Sequence, residues 1–87
     1  MDERVILGFT GRLVPTSMTG FACHRARRLD VEIEVLDSSD DELRVAVRGQ
    51  PDLIDAFEMA LSLGPGDSLV LEVWRDSNSG PRAERKG

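Results

Sequence analysis

The stretch Gly11–Leu29, GRLVPTSMTGFACHRARRL, holds the side chains best suited to chemistry. Thr16, Ser17 and Thr19 gather where a helix is expected to begin, and Arg12 stands just before them. A helix N-terminus presents free N–H groups and about half a positive charge, so the turn suits a small anion such as phosphate or sulfate. Arg12, Thr16, Ser17, Met18 and Thr19 are the anion-binding candidates. The same residue types also cap helices, since the hydroxyl of Thr16 or Ser17 can accept from an orphan backbone N–H. Arg12 can equally be a solvated charge at a strand end. Arg25 can reach back to the turn as a further cation or lay its aliphatic stem along the helix.

Other clusters promise less. Cys23 and His24 are adjacent, so on a helix they diverge by about 100° and make a poor nucleophile–base pair. Asp37, Asp40, Asp41 and Glu42 lack the Asp-x-Asp-x-Asp-Gly order of a calcium loop and read as a solvated turn. Cys23 is the single cysteine, which excludes an intrachain disulfide and a CxxC metal or redox motif. No metal and no cofactor are expected.

Charge narrows the partners. The net charge is −5, unevenly placed. Residues 1–29 carry five arginines against Asp2 and Glu3, whereas residues 30–76 carry thirteen acids against Arg44, Arg48 and Arg75. So acidic a body argues against nucleic acid, whose affinity comes mainly from phosphate neutralisation. An anion should dock on the N-terminal third. Acidic residues ahead of a short apolar run are the wrong order for a signal peptide, and no run is long enough to span a membrane. A cytoplasmic protein is expected, either monomeric or weakly dimeric.

Periodicity supplies the elements that must position the turn. Val5, Leu7 and Phe9 share one face of a strand over Arg4–Leu13, with Gly11 continuing the row. Met18, Ala22, Ala26 and Leu29, flanked by Phe21, form the apolar stripe of a first helix; His24, Arg27 and Arg28 point outward. Val31, Ile33 and Val35 alternate with acids in a second strand, 37–42 is a polar turn, and Leu43, Val45 and Val47 make a third strand. Arg44 and Arg48 are expected opposite Glu32 and Glu34 across that hairpin. Pro51 and Asp52 start a second helix with a stripe of Leu53, Ile54, Phe57, Ala60 and Leu61, stopped at Gly64. In a fourth strand Leu69, Leu71 and Val73 alternate with Val70, Glu72 and Trp74. Trp74 is expected to be packed or half-exposed, with a partner contact as the sharper possibility. Residues 1–76 thus form one domain, and 77–87 are expected to be a disordered tail. The order β-α-β-β-α-β predicts an α+β, ferredoxin-like fold: a four-stranded antiparallel sheet with two helices on one face. A ferredoxin-like RNA binder would need exposed aromatics on its central strands, and LRVAVRG has none.

At these residues the chain resembles the acylphosphatase family over about positions 5–74. Gly11-Arg12-Leu13 matches the start of that family's Gly-Arg-Val-Gln-Gly-Val-x-Phe-Arg loop, and Ala26-Arg27-Arg28-Leu29 its helix end, with ungapped spacing between them. Val47-Arg48-Gly49 matches the usual end of the third strand, and Ile54, Phe57, Ala60 and Leu61 fall in phase with the second helix. The resemblance implies hydrolysis of carboxyl-phosphate bonds, with loop N–H groups cradling phosphate, an arginine holding its oxygens and an asparagine orienting water. Thr19 and Asp37 occupy the positions of that arginine and asparagine, and Pro15 replaces a loop glycine. Each change opposes an anionic substrate: a charge-assisted fork is lost, a carboxylate is gained and an N–H donor is gone. A non-catalytic binding or regulatory module, with a small anion or a protein as partner, is therefore expected. The alternative is an acylphosphatase with a modified site, using Arg12 or Arg25 as cation and Asp37 as base.

Overall fold

Alternation along the first strand puts Val5, Leu7 and Phe9 fully inside, and this row seeds the core. The computed structural model describes residues 2–76, so the expectation for 77–87 lies outside the described residues. In order, the elements are β1 (Glu3–Arg12), α1 (Pro15–Leu29), β2 (Glu32–Ser38), β3 (Glu42–Gly49), α2 (Pro51–Leu63) and β4 (Leu69–Asp76). The sheet order is β2-β3-β1-β4, and every neighbouring pair is antiparallel. This is the predicted ferredoxin-like arrangement. The central pair β1–β3 sets Val5 opposite Val47, Leu7 opposite Val45 and Phe9 opposite Leu43.

The helices bury the stripes their spacing predicts. Met18, Ala22 and Ala26 of α1, and Ile54, Phe57 and Leu61 of α2, are buried against that row, with Leu29, Leu53, Ala60 and Phe21 at its margin. Burying each large apolar side chain contributes about 1.5–3 kcal/mol. Asp30 ends α1 in the left-handed region (φ 60°), and the Val31 N–H donates back to the Ala26 carbonyl. That turn is why β2 starts at Glu32. Pro51 opens α2 with Asp52 in its first turn, and Gly64 (φ 68°) closes it.

Two strands depart from the simple alternation. A bulge places Leu71 as an extra residue opposite the Thr10–Gly11 step. The slip reverses the facing beyond it, because side chains alternate with a period of two. Val73 and Val70 therefore pack on the core, while Leu69 and Leu71 are exposed at 55% and 65%. A second bulge at Leu36 sets Asp37 opposite Arg44 and extends β2 to Ser38, into the expected turn. Arg48 faces Glu32 as expected, but Glu34 faces Ala46. Among the described residues the ion pairs are those of Arg75, whose guanidinium joins Asp55 and Glu58 of α2 to β4.

Among the described residues, no helix covers the outer face of the sheet. There the Trp74 ring lies across Gly8 and its Nε1–H donates to Glu42 at 3.1 Å. A Cβ at position 8 would stand 2.0 Å from that ring, so only glycine admits it. Trp74 is thus packed and half-exposed, as expected. No helix among the described residues is long and apolar enough to cross a membrane.

Candidate functional site

The candidate turn lies between the end of β1 and the first turn of α1, and the neighbouring loops fix it. The Gly11 N–H donates to the Asp41 carbonyl at 3.1 Å and the Leu13 N–H to the Asp40 carbonyl at 2.8 Å. The β2–β3 turn thus occupies two backbone donors that precede the helix. Gly11 itself has φ 156°, and a Cβ there would meet the Leu69 carbonyl oxygen at 2.0 Å. Glycine at this position lets the bulged β4 approach.

The helix begins two to three residues earlier than its hydroxyls suggested. Pro15 is the first helical residue and Val14 the N-cap, which supplies no side-chain cap. Thr16 and Ser17 are therefore inside the first turn, and the expectation that one of them caps it is corrected. Proline is well placed at that position because its fixed φ suits a helix and the missing N–H would have gone unpaired within the helix. The loop between α2 and β4 supplies the cap from far along the chain. Ser68 Oγ accepts from the Val14 N–H at 3.0 Å. Ser17 Oγ donates to Asp67 Oδ1 at 2.8 Å.

Donors for an incoming anion are correspondingly few. Across positions 14–19 the Val14 N–H is taken by Ser68, Pro15 has none, and the Met18 N–H donates to the Val14 carbonyl at 2.9 Å. The Thr19 N–H belongs to the helical ladder. The first-turn amides of Thr16 and Ser17 remain, as at any helix start. Met18 drops out of the candidate set, since its side chain is wholly buried and its amide is used. A carboxylate, Asp67, already stands beside the hydroxyl of Ser17.

The remaining candidates sit apart or are engaged. The Thr19 hydroxyl lies 3.1 Å from that of Ser38 on β2. Ser38 pairs with Leu43, while Asp37 pairs with Arg44 and belongs to the opposite face of the sheet by alternation. Ser38, one residue beyond Asp37, is thus the side chain that meets Thr19. Arg12 is exposed at the end of β1, opposite Leu69, and has no ion pair among the described residues. Arg25 lies about 15 Å along the helix from Pro15. Its guanidinium sits 5.4 Å from the centre of the Phe21 ring and not at the turn. Cys23 is exposed, and no three His, Cys, Asp or Glu side chains among the described residues converge as metal ligands.

Asp67, Ser68 and Ser38 are the residues that sequence reasoning missed. Gly-Pro-Gly-Asp-Ser reads locally as a turn, and nothing in it announces a contact with a helix some fifty positions upstream.

Comparison with known proteins accords with this scaffold. The chain is 33% identical over 79 residues to an acylphosphatase of Salinibacter ruber, covering 87% of this chain and 83% of that protein. In fold it is similar to an acylphosphatase from Bacillus subtilis (TM-score 0.78, 19% identity, 98% of this chain and 94% of that one). An acylphosphatase from Coxiella burnetii is similar to the same degree (TM-score 0.78, 17% identity, 86% and 79%). The C-terminal domain of the MgtC protein from Mycobacterium tuberculosis is a more distant likeness in fold (TM-score 0.54, 18% identity, 95% and 93%). No protein-family model matches the chain.

Proposed function

Because the chain belongs to the acylphosphatase family, we propose that it keeps that family's scaffold without its hydrolysis and serves as a non-catalytic binding or regulatory module. The observation that carries this proposal is the Asp67 carboxylate, held by Ser17 at the N-terminus of α1. A phosphate entering that turn would meet a resident negative charge. At about 4 Å and an effective dielectric near 20, each pair of like charges costs roughly 4 kcal/mol. Solvent exposure of Asp67 reduces that figure but leaves its sign.

Three further features support the same conclusion. Thr19, at the family's arginine position, has no charge to offer and its hydroxyl is directed to Ser38. Pro15 and the bond from Val14 to Ser68 take two N–H groups out of any cradle. Asp37, at the family's asparagine position, is turned to the opposite face of the sheet, which leaves Ser38 and no amide beside the turn. Losing one transition-state donor already costs about 10²–10³ in rate. Several such losses together leave little of the reaction.

One observation favours the second reading, an acylphosphatase with a modified site: Arg12 is exposed beside the turn with no ion pair among the described residues. Hydrolysis of benzoyl phosphate by the full chain, alongside Arg12→Ala and Asp37→Asn, separates the two. The non-catalytic proposal expects all three proteins to match buffer. Turnover that falls in either variant would establish the modified enzyme instead.

A further inference from the structure

Opposite charges are segregated on this molecule, and α1 is the extreme case. It bears His24, Arg25, Arg27 and Arg28, all exposed, and no acid, in a chain whose net charge is −5. Between α1 and α2, on the side away from the sheet, runs an apolar groove of about 490 Å³. Phe21 and Arg25 form one wall, and Ala56, Met59, Ala60 and Leu63 form the other. Met59 and Leu63 are 69% and 79% exposed, more than a core-facing helix position would leave them. The α2 acids Asp55 and Glu58 pair with Arg75 on β4 and not with Arg25.

We propose that the α1–α2 groove is a docking surface for an acidic amphipathic helix of a partner protein. The occupant is argued from charge and shape together. An apolar helical stripe with anchors at i, i+3, i+4 and i+7 suits a groove between two helices. Met59 is unbranched and adapts to the packed side chain. Acids flanking that stripe would face the Arg25 guanidinium, which its stacking on Phe21 holds at the groove wall. His24 and Arg28 extend the positive field along the same helix and would speed encounter with an acidic partner. The proposal rests on the reading of the chain as a binding module, but it concerns the groove between the helices and not the turn at Pro15.

The test selects a displayed library of helical peptides, randomised at their surface positions, on the full chain. Enriched peptides are expected to carry an apolar i, i+3/i+4, i+7 stripe bordered by Asp and Glu. Their affinity should fall about tenfold or more in Leu63→Glu and in Arg25→Glu, as for loss of a central anchor. It should also weaken as salt rises from about 0.05 M to about 0.5 M. Both side chains are exposed, so neither substitution disturbs the core. Absence of enrichment, basic or stripe-free peptides, or equal binding to both variants would overturn the proposal. Tighter association with phosphatidylserine–phosphatidylcholine vesicles than with the selected peptides would overturn it too. Benzoyl phosphate turnover, measured on the same preparation, tests the non-catalytic reading separately from either result.

Discussion

Removing the Asp67 carboxylate should loosen the start of α1 and, at the same time, make that start more receptive to anions. In Asp67→Ala the Ser17 hydroxyl loses an acceptor at 2.8 Å, and the first turn loses a carboxylate beside its positive end. A charge at an exposed helix end is worth about 0.3–1 kcal/mol. A hydrogen bond nets about 0.5–1.5 kcal/mol. Both groups reach solvent, so the low ends apply, and the sum is about 1 kcal/mol. For a domain of this size that lowers Tm by about 4–8 °C. Trp74 is the single tryptophan and packs on Gly8, which makes its fluorescence a probe of urea unfolding. Ser17→Ala, Asp67→Ala and the double variant then close a cycle, with an expected coupling of about 0.5 kcal/mol. Sulfate supplies the second half of the assay. Anything that binds the native state raises its stability, so sulfate should stabilise Asp67→Asn more than the native sequence. A coupling of zero, together with equal sulfate effects on the two proteins, refutes the idea that Asp67 fills the place of an anion.

Other substitutions test how the turn is held. Gly11→Ala should cost about 3 kcal/mol or more, read by urea unfolding, because its Cβ would meet the Leu69 carbonyl oxygen and the backbone there is unfavourable for an L side chain. Phe57→Ala should cost about 3–5 kcal/mol, since the ring is wholly buried between α2 and the sheet. Arg75→Ala should cost less than about 1 kcal/mol, and the loss should shrink with added salt, because its pairs with Asp55 and Glu58 are partly solvated. Thr19→Arg combined with Asp67→Asn should raise sulfate affinity above that of Asp67→Asn alone, as followed by thermal shift. The added guanidinium offers the bidentate contact that threonine lacks.

The scaffold was legible wherever one periodic row was apolar and its alternate was polar. Val5, Leu7 and Phe9, and likewise Leu43, Val45 and Val47, left no choice of face. The stripes of α1 and α2 did the same at helical spacing. On β4 both rows contain apolar residues, so alternation could not choose between Leu71 and Val70. The bulge opposite Thr10–Gly11 decides it, and it coincides with a close backbone approach at Gly11 that local pattern does not encode. The bulge at Leu36 likewise extended β2 into a stretch whose composition reads as turn. At the candidate site, Arg12, Thr16, Ser17 and Thr19 could be picked out by residue type. Their partners could not. Ser68, Asp67 and Ser38 reach the turn through tertiary packing across distant elements, and each is an ordinary loop or strand-end residue by local standards.

The initial rate of benzoyl phosphate hydrolysis by the native chain bears most directly on what this scaffold does. A rate equal to that of buffer at every protein concentration is predicted. A saturable rate that rises in proportion to protein and is inhibited by inorganic phosphate would contradict it.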